Sequence, residues 1–235
     1  MPSTLTPMNW ADHPPYVYPP YTSTPKRGPQ QALVPIAEHM ANLAAPVYGT
    51  QDIGALDHDL TRNGRKNGEP IGERMVLTGR VLDDAGKPVP HTLIELWQAN
   101  ASGRYIHKND QHDAPLDPNF LGAGRTLTDA NGCYRFLTIK PGAYPWRNHP
   151  NAWRPQHIHL SLFGQGFGSR LVTQLYFPGD PLHAFDPMVQ SAPAHARSRL
   201  IADFSLDVTE PEYALGYVFD VVLRGVNATQ FEGKK

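Results

Sequence analysis

The sequence predicts an all-β fold: an antiparallel β-sandwich core with long irregular loops, an extended N-terminal arm and a few short helices. Three observations carry this. From residue 74 onward, short segments of strand-like periodicity recur between turn signals, with no alternating helices to cover a parallel sheet. Twenty-four prolines and twenty glycines in 235 residues supply many turns and leave little room for long helices. Two long polar stretches without periodicity interrupt the strands, as functional loops do in compact domains.

Residues 1–34 read as an arm. Pro14-Pro15-Tyr16-Val17-Tyr18-Pro19-Pro20-Tyr21, followed by Pro25, Lys26, Arg27, Gly28 and Pro29, favours extended backbone. Trp10 and three tyrosines are too much aromatic surface for a solvated tail, so the arm is expected to pack on the body or on a partner subunit. Residues 35–235 then form a single catalytic sandwich domain. Ile36, Met40 and Leu43 are spaced for one short helix over 35–45, and Gly49 to Gly72 reads as loop.

Strands are expected at Met75–Leu82, Thr92–Gln98, Cys133–Ile139, Leu171–Phe177, Leu200–Val208 and Tyr217–Leu223, with one more around His157 and His159. Asp83-Asp84-Ala85-Gly86 ends the first, and Asn131-Gly132 is a hairpin signal before the third. No internal repeat and no second domain is evident.

A formal charge of −1 gives no electrostatic reason for nucleic-acid or membrane partners. The single cysteine, Cys133, excludes an internal disulfide and a thiolate metal cluster. Met1 to Trp10 has no apolar core for a signal peptide, and no run approaches a membrane span, so a cytoplasmic location is expected.

The chemistry concentrates between Lys140 and Gly164. Pro141, Gly142, Pro145, Pro150 and Pro155 enforce a stiff loop bearing Tyr144, Trp146, Trp153 and Arg154. Beyond it His157, His159 and Ser161 alternate with Ile158, Leu160 and Leu162, so both imidazoles share one face of a strand. Their Cα atoms would lie about 6.5 Å apart, within reach of one metal ion. The polar stretch Gly103–Phe120 offers Tyr105, His107, Asp110, His112 and Asp113 as further ligands. His157 and His159 with Asp110 or Asp113 would resemble a ferrous facial triad. With Tyr105 and Tyr144 instead, two phenolates and two imidazoles suit ferric iron, because only a strong Lewis acid removes a phenol proton at neutral pH. Spacing alone does not choose between them.

Gly103-Arg-Tyr105 with Asn109-Asp110, Tyr144-Pro-Trp-Arg, Trp153-Arg-Pro-x-His-Ile-His159 and Gln174-Leu-Tyr-Phe177 together resemble the intradiol ring-cleaving dioxygenases, most closely the protocatechuate-cleaving members. The resemblance runs from Tyr21 to Leu223-Arg224-Gly225 and departs at no ligand position. It implies one Fe(III) per chain, bound by Tyr105, Tyr144, His157 and His159 with a solvent hydroxide, Tyr144 and His159 being axial. It implies a catecholate substrate that displaces Tyr144 and the hydroxide, and a ring opened between its two hydroxyls by dioxygen, in aromatic-compound catabolism.

Arg154 matches a residue that stabilises charge on the reacting ring. Tyr21, Arg27, Trp146 and Met188 match the substrate pocket, and Gln174, Tyr176 and Trp97 match positions around the iron ligands. His107, His112 and His149 are expected to be solvated loop residues. The resemblance also implies a homologous alpha subunit lacking iron ligands and a higher hetero-oligomer of alpha-beta pairs. An intradiol enzyme for catechol or hydroxyquinol, which would begin with a helical region, and a non-catalytic β-sandwich binding module are the alternatives.

Overall fold

A computed structural model describes residues 9–32, 34, 53–164 and 167–230, without the side chains of 167–170. The helix expected over 35–45 lies outside the described residues. Eleven strands are described: β1 Arg74–Leu82, β2 Leu93–Trp97, β3 Ala123–Leu127, β4 Cys133–Ile139, β5 Tyr144–Pro145, β6 Trp153–Arg154, β7 His157–Gly164, β8 Phe167–Tyr176, β9 Asp203–Phe204, β10 Leu215–Val218 and β11 Val221–Val222. One five-stranded sheet has the order β11-β1-β10-β9 with β4 also on β1, and a four-stranded sheet has the order β3-β2-β7-β8. Helices are short, the α-helix α1 spanning only Pro187–Ser191. None among the described residues is long and apolar enough to cross a membrane.

The core lies between the two sheets. Met75, Leu77 and Val81 of β1 and Phe136 of β4 meet Ile94 and Leu96 of β2, Ile158, Leu160 and Leu162 of β7, and Leu171 and Leu175 of β8. All are alternate residues, as a strand with one face on a core requires. The pairings are antiparallel except that β10 and β11 run parallel to β1.

The strand readings fail where a side chain or a turn interrupts the ladder. Tyr217–Leu223 is two strands: Asp220 breaks the run by accepting from Arg80 N at 2.8 Å through Oδ1, replacing a backbone acceptor. Leu200–Val208 is not one strand: a 3₁₀ turn occupies Ala194–Leu200, Ile201 makes an isolated bridge to Tyr176, and only Asp203–Phe204 forms a strand. Asn131-Gly132 makes a tight turn with Gly132 at φ 71°, yet it links β3 to β4 in different sheets. The residues that turn are right; the hairpin is not. β3, Ala-Gly-Arg-Thr-Leu, was not anticipated because its composition has little β character.

The arm is less extended than its prolines suggest, with 3₁₀ turns at Trp10–Asp12 and Thr24–Lys26. It is fastened at two points, Asp12 and Pro20–Thr22. The buried Asp12 carboxylate accepts from Arg199 Nη1 at 2.9 Å and lies 2.7 Å from His195 Nε2; these partners hold it below the usual carboxylate range. Gln230 Nε2 donates to Asp12 O at 2.7 Å. Thr22 N and Oγ1 donate to Asn148 Oδ1 and O at 2.8 and 2.7 Å, and Asn148 Nδ2 donates back to Pro20 O at 2.9 Å.

Gly79 sits where β1 changes partner from β10 to β11, and a Cβ there would meet Phe219 O at 2.0 Å. That atom is backbone and cannot swing away. Gly79→Ala is therefore expected to destabilise the fold by about 1–3 kcal/mol, measured by urea denaturation; an unchanged midpoint would contradict this packing.

Candidate metal centre and catalytic pocket

β7 is the base of the site. Ile158, Leu160 and Leu162 fill the core, so the pleat turns His157, His159 and Ser161 to the other face. Pairing adds neighbours on that face: Tyr176 opposite His157, and Gln174 and Trp97 on either side of His159. Trp97 stacks flat on the His159 ring, centroids 4.8 Å apart and planes at 6°. The two imidazole centroids are 5.0 Å apart.

Two phenols come from opposite directions. Tyr144 opens the β5–β6 hairpin, directly across from Arg154. Tyr105 arrives on the loop after β2, which Asn100 organises: its side-chain oxygen accepts from Ser102 N and Arg104 N at 3.0 and 2.9 Å. Gly103, at φ 78°, allows the loop to touch the tyrosine hairpin, since a Cβ there would lie 2.2 Å from Ala143 O. Asp110 closes the turn by accepting from Tyr105 N at 2.7 Å and His112 N at 2.8 Å.

The result is a four-residue convergence. Tyr105 lies 5.4 Å from Tyr144 and 6.4 Å from His159 between ring centroids. Tyr144 Oη is 3.4 Å from His157 Nε2. His157 Nδ1 lies 2.7 Å from Pro155 O, and because a carbonyl only accepts, the ring proton is on Nδ1 and the Nε2 lone pair faces the phenols. Tyr105 Oη is buried with no hydrogen-bond partner among the described residues. A buried hydroxyl left unmatched is costly, and a cation between the rings would satisfy it.

Electrostatics point the same way. Burial, reinforced by Arg154, pushes His157 well below the ordinary imidazole range and His159 down to about 3, so both are neutral lone-pair donors at neutral pH. Burial raises Tyr105 well above the ordinary phenol value and raises Tyr144 as well, while the Arg154 charge works against both shifts. Two neutral imidazoles and two phenols that ionise only against a strong Lewis acid are a donor set that fits ferric iron. The ferrous-triad alternative lacks its carboxylate: among the described residues no three of His, Cys, Asp and Glu come together, and both Asp110 oxygens serve the loop.

Arg154 is itself buried. Its Nη2 donates to Gln174 Oε1 at 2.6 Å, Tyr176 Oη at 3.0 Å and Asp186 Oδ2 at 3.1 Å, and its Nε to Asp186 Oδ2 at 3.2 Å. Asp186 was missed by sequence reasoning. Its signal was an Asp-Pro pair opening a short helix, since Asp186 Oδ1 accepts from Met188 N at 3.2 Å as N-cap of α1.

Two cavities flank this arrangement. Trp97, Tyr105, Tyr144, Trp146 and His159 line one of about 850 Å³, open toward His107 and His112. Tyr21, Arg27, Gln174, Tyr176 and Met188 line a second of about 200 Å³, roofed by the arm. Tyr21 packs edge-on to Trp146 at 5.0 Å between the two, with the Arg27 guanidinium 4.5 Å over its ring. His112 meets the Trp153 ring edge-on, and His149 is exposed.

Comparison with known proteins agrees with this geometry. The dioxygenase family matches residues 43–225, and the N-terminal region described as that of the protocatechuate 3,4-dioxygenase beta subunit matches residues 7–39. The chain is 68% identical over 231 residues to the protocatechuate 3,4-dioxygenase beta chain of Burkholderia cepacia, covering 98% of each. It is 30% identical over 162 residues to the protocatechuate 3,4-dioxygenase alpha chain of Pseudomonas putida, covering 68% of this chain and 76% of that one. The solved 3-chlorocatechol 1,2-dioxygenase of Rhodococcus opacus shares the fold, with a TM-score of 0.56 at 23% identity over 76% of this chain and 70% of that one. The sandwich fold and matches spanning most of the sequence make this chain a member of the intradiol dioxygenase family.

Proposed function

We propose that this chain is the iron-bearing beta chain of a protocatechuate 3,4-dioxygenase, opening the ring of 3,4-dihydroxybenzoate between its hydroxyl carbons to give 3-carboxy-cis,cis-muconate with both atoms of dioxygen in the product. The observation that carries the reading is the convergence of Tyr105, Tyr144, His157 and His159 around a buried Tyr105 hydroxyl without a partner, at the edge of the cavity of about 850 Å³. Bound there, ferric iron would supply the Lewis acidity that ionises phenols and catechols and makes the electron-rich ring reactive toward dioxygen.

The chain's own groups have separable tasks in this reading. His157 and His159 offer lone pairs that burial keeps unprotonated. Ionised against the metal, Tyr144 Oη would be the base for a substrate hydroxyl proton, and Arg154, which cannot deprotonate, would stabilise negative charge spreading into the ring. Trp146 forms a wall, Tyr21 and Arg27 of the arm face the ring carboxylate, and Met188 is an apolar side of the pocket. A homologous alpha chain would pair with this one and the pairs would assemble further, supported by the similarity to the Pseudomonas putida alpha chain. Residues 1–34 are the arm of this enzyme and 35–235 its catalytic domain.

The direct test is the visible spectrum of the purified iron-loaded protein during anaerobic addition of protocatechuate. A phenolate-to-iron charge-transfer band that shifts with protocatechuate at lower concentration than with catechol is expected; a protein that stays colourless after ferric loading would sink the tyrosinate site. Tyr105→Phe and His157→Ala should each cost iron, or more than ~100-fold in turnover, a larger loss than outer-shell changes give. Retention of both would refute the ligand assignment. Tyr21→Ala should leave iron content unchanged and weaken protocatechuate binding about tenfold, a loss of packing against Trp146 and Arg27; equal loss for catechol would show that the arm does not read the carboxylate.

Stability should depend on pH in a set direction. Unfolded histidines titrate near 6.5, whereas His159 is held down to about 3 and His157 well below its ordinary range. The unfolded chain therefore takes up protons that the folded metal-free chain refuses, and stability should fall as pH drops from about 6.5 toward 3. Thermal melts of the metal-free protein from neutral to acid pH check this; a flat profile would mean that the imidazoles are accessible to protons in the folded state.

A further inference from the structure

Arg154 is held by a closed circuit rather than a single partner. Asp186 Oδ2 accepts from its Nε and Nη2, Asp186 Oδ1 accepts from Met188 N, Gln174 Nε2 lies 3.6 Å from Met188 Sδ, and Gln174 Oε1 accepts from Arg154 Nη2. Asp186 is fully buried and caps α1, so it cannot follow the guanidinium if that group moves. The bonds to Asp186, Gln174 and Tyr176 all use Nε and Nη2, and that edge of the guanidinium is thereby committed.

We infer that Asp186 is a positioning residue for ring cleavage, which acts through Arg154 by fixing the guanidinium's orientation and by supplying the counter-charge to it. The carboxylate ties the arginine to the helix that carries Met188, so the guanidinium and one wall of the arm-roofed cavity share a single anchor. A buried guanidinium without the carboxylate would carry an uncompensated charge and be held only through Gln174 and Tyr176. Asp186 supplies that charge and the contact at Nε. The inference rests on the dioxygenase reading above and adds to it a residue of the reaction that touches neither metal nor substrate.

The test uses Asp186→Asn in the assembled, iron-loaded protein, because asparagine can still cap α1 while losing the charge. Iron content and the charge-transfer band should stay near wild type, the melting temperature should drop because the buried guanidinium loses its counter-charge, anaerobic protocatechuate binding should change by less than about threefold, and kcat should fall about 10–100-fold. In an Arg154→Gln background the same change should cost nothing further in kcat, because the two act as one unit. Effects that multiply, or a kcat within twofold of wild type, would overturn the inference. So would loss of iron in parallel with turnover, which marks a scaffold role. Should Asp186→Asn not fold, Asp186→Glu decides: it keeps the charge but displaces the carboxylate, and a wild-type kcat would overturn the positioning role. An inactive, colourless wild type would instead defeat the proposed function, leaving the two failures distinguishable.

Discussion

The register of β7 against its two neighbours governs the rest of the molecule. Ile158, Leu160 and Leu162 bury in the sandwich, and this apolar demand holds the strand in phase. A one-residue slip would turn three apolar side chains out of the core and two imidazoles into it. The hydrophobic effect thus sets the position of chemistry it does not take part in: with β7 in phase, β2 must present Trp97 beside His159, and β8 must present Gln174 and Tyr176.

What the sheet cannot supply, glycines and prolines do. The tyrosine ligand candidates reach β7 from two segments that have no extended ladder of their own. Gly103 allows the Tyr105 loop to pass within backbone contact of Ala143, and the prolines around Tyr144 limit how that hairpin can bend. A buried cluster of two phenols, two imidazoles and one guanidinium would be unfavourable on its own; Asp186 neutralises the arginine, and the Tyr105 hydroxyl is left without a partner among the described residues.

Much of this was legible in the primary structure, for reasons that differ by element. The period of two around His157 and His159 was readable because both faces of β7 are buried in chemically different surroundings. Cys133–Ile139 was readable because turn residues bound it. β3 was not, since Gly124 sits against Asp57 O and Leu60, and its residues are chosen for close approach rather than β propensity. The split after Val218 was hidden because Asp220 acts as a backbone substitute, which no periodicity records. In the site, Tyr105 was one of five candidate ligands on its loop, and Tyr144 lay on a separate proline-bounded loop. Resemblance to a family singled them out, where spacing could not. Asp186 was invisible for a related reason: its partner lies 32 positions away, and only the folded chain brings the pair together.

The way the arm is tied down makes the roof of the pocket a product of distant parts of the chain. Asp12 meets Gln230 across 218 positions, and Thr22 meets Asn148 across 126, whereas most sheet pairings join segments much nearer in sequence. Each such contact closes a long loop, whose entropic cost rises only slowly with length. These anchors are side-chain hydrogen bonds outside the sheet ladders, so the roof of the smaller cavity rests on a few polar contacts while the histidine strand beneath it rests on two ladders.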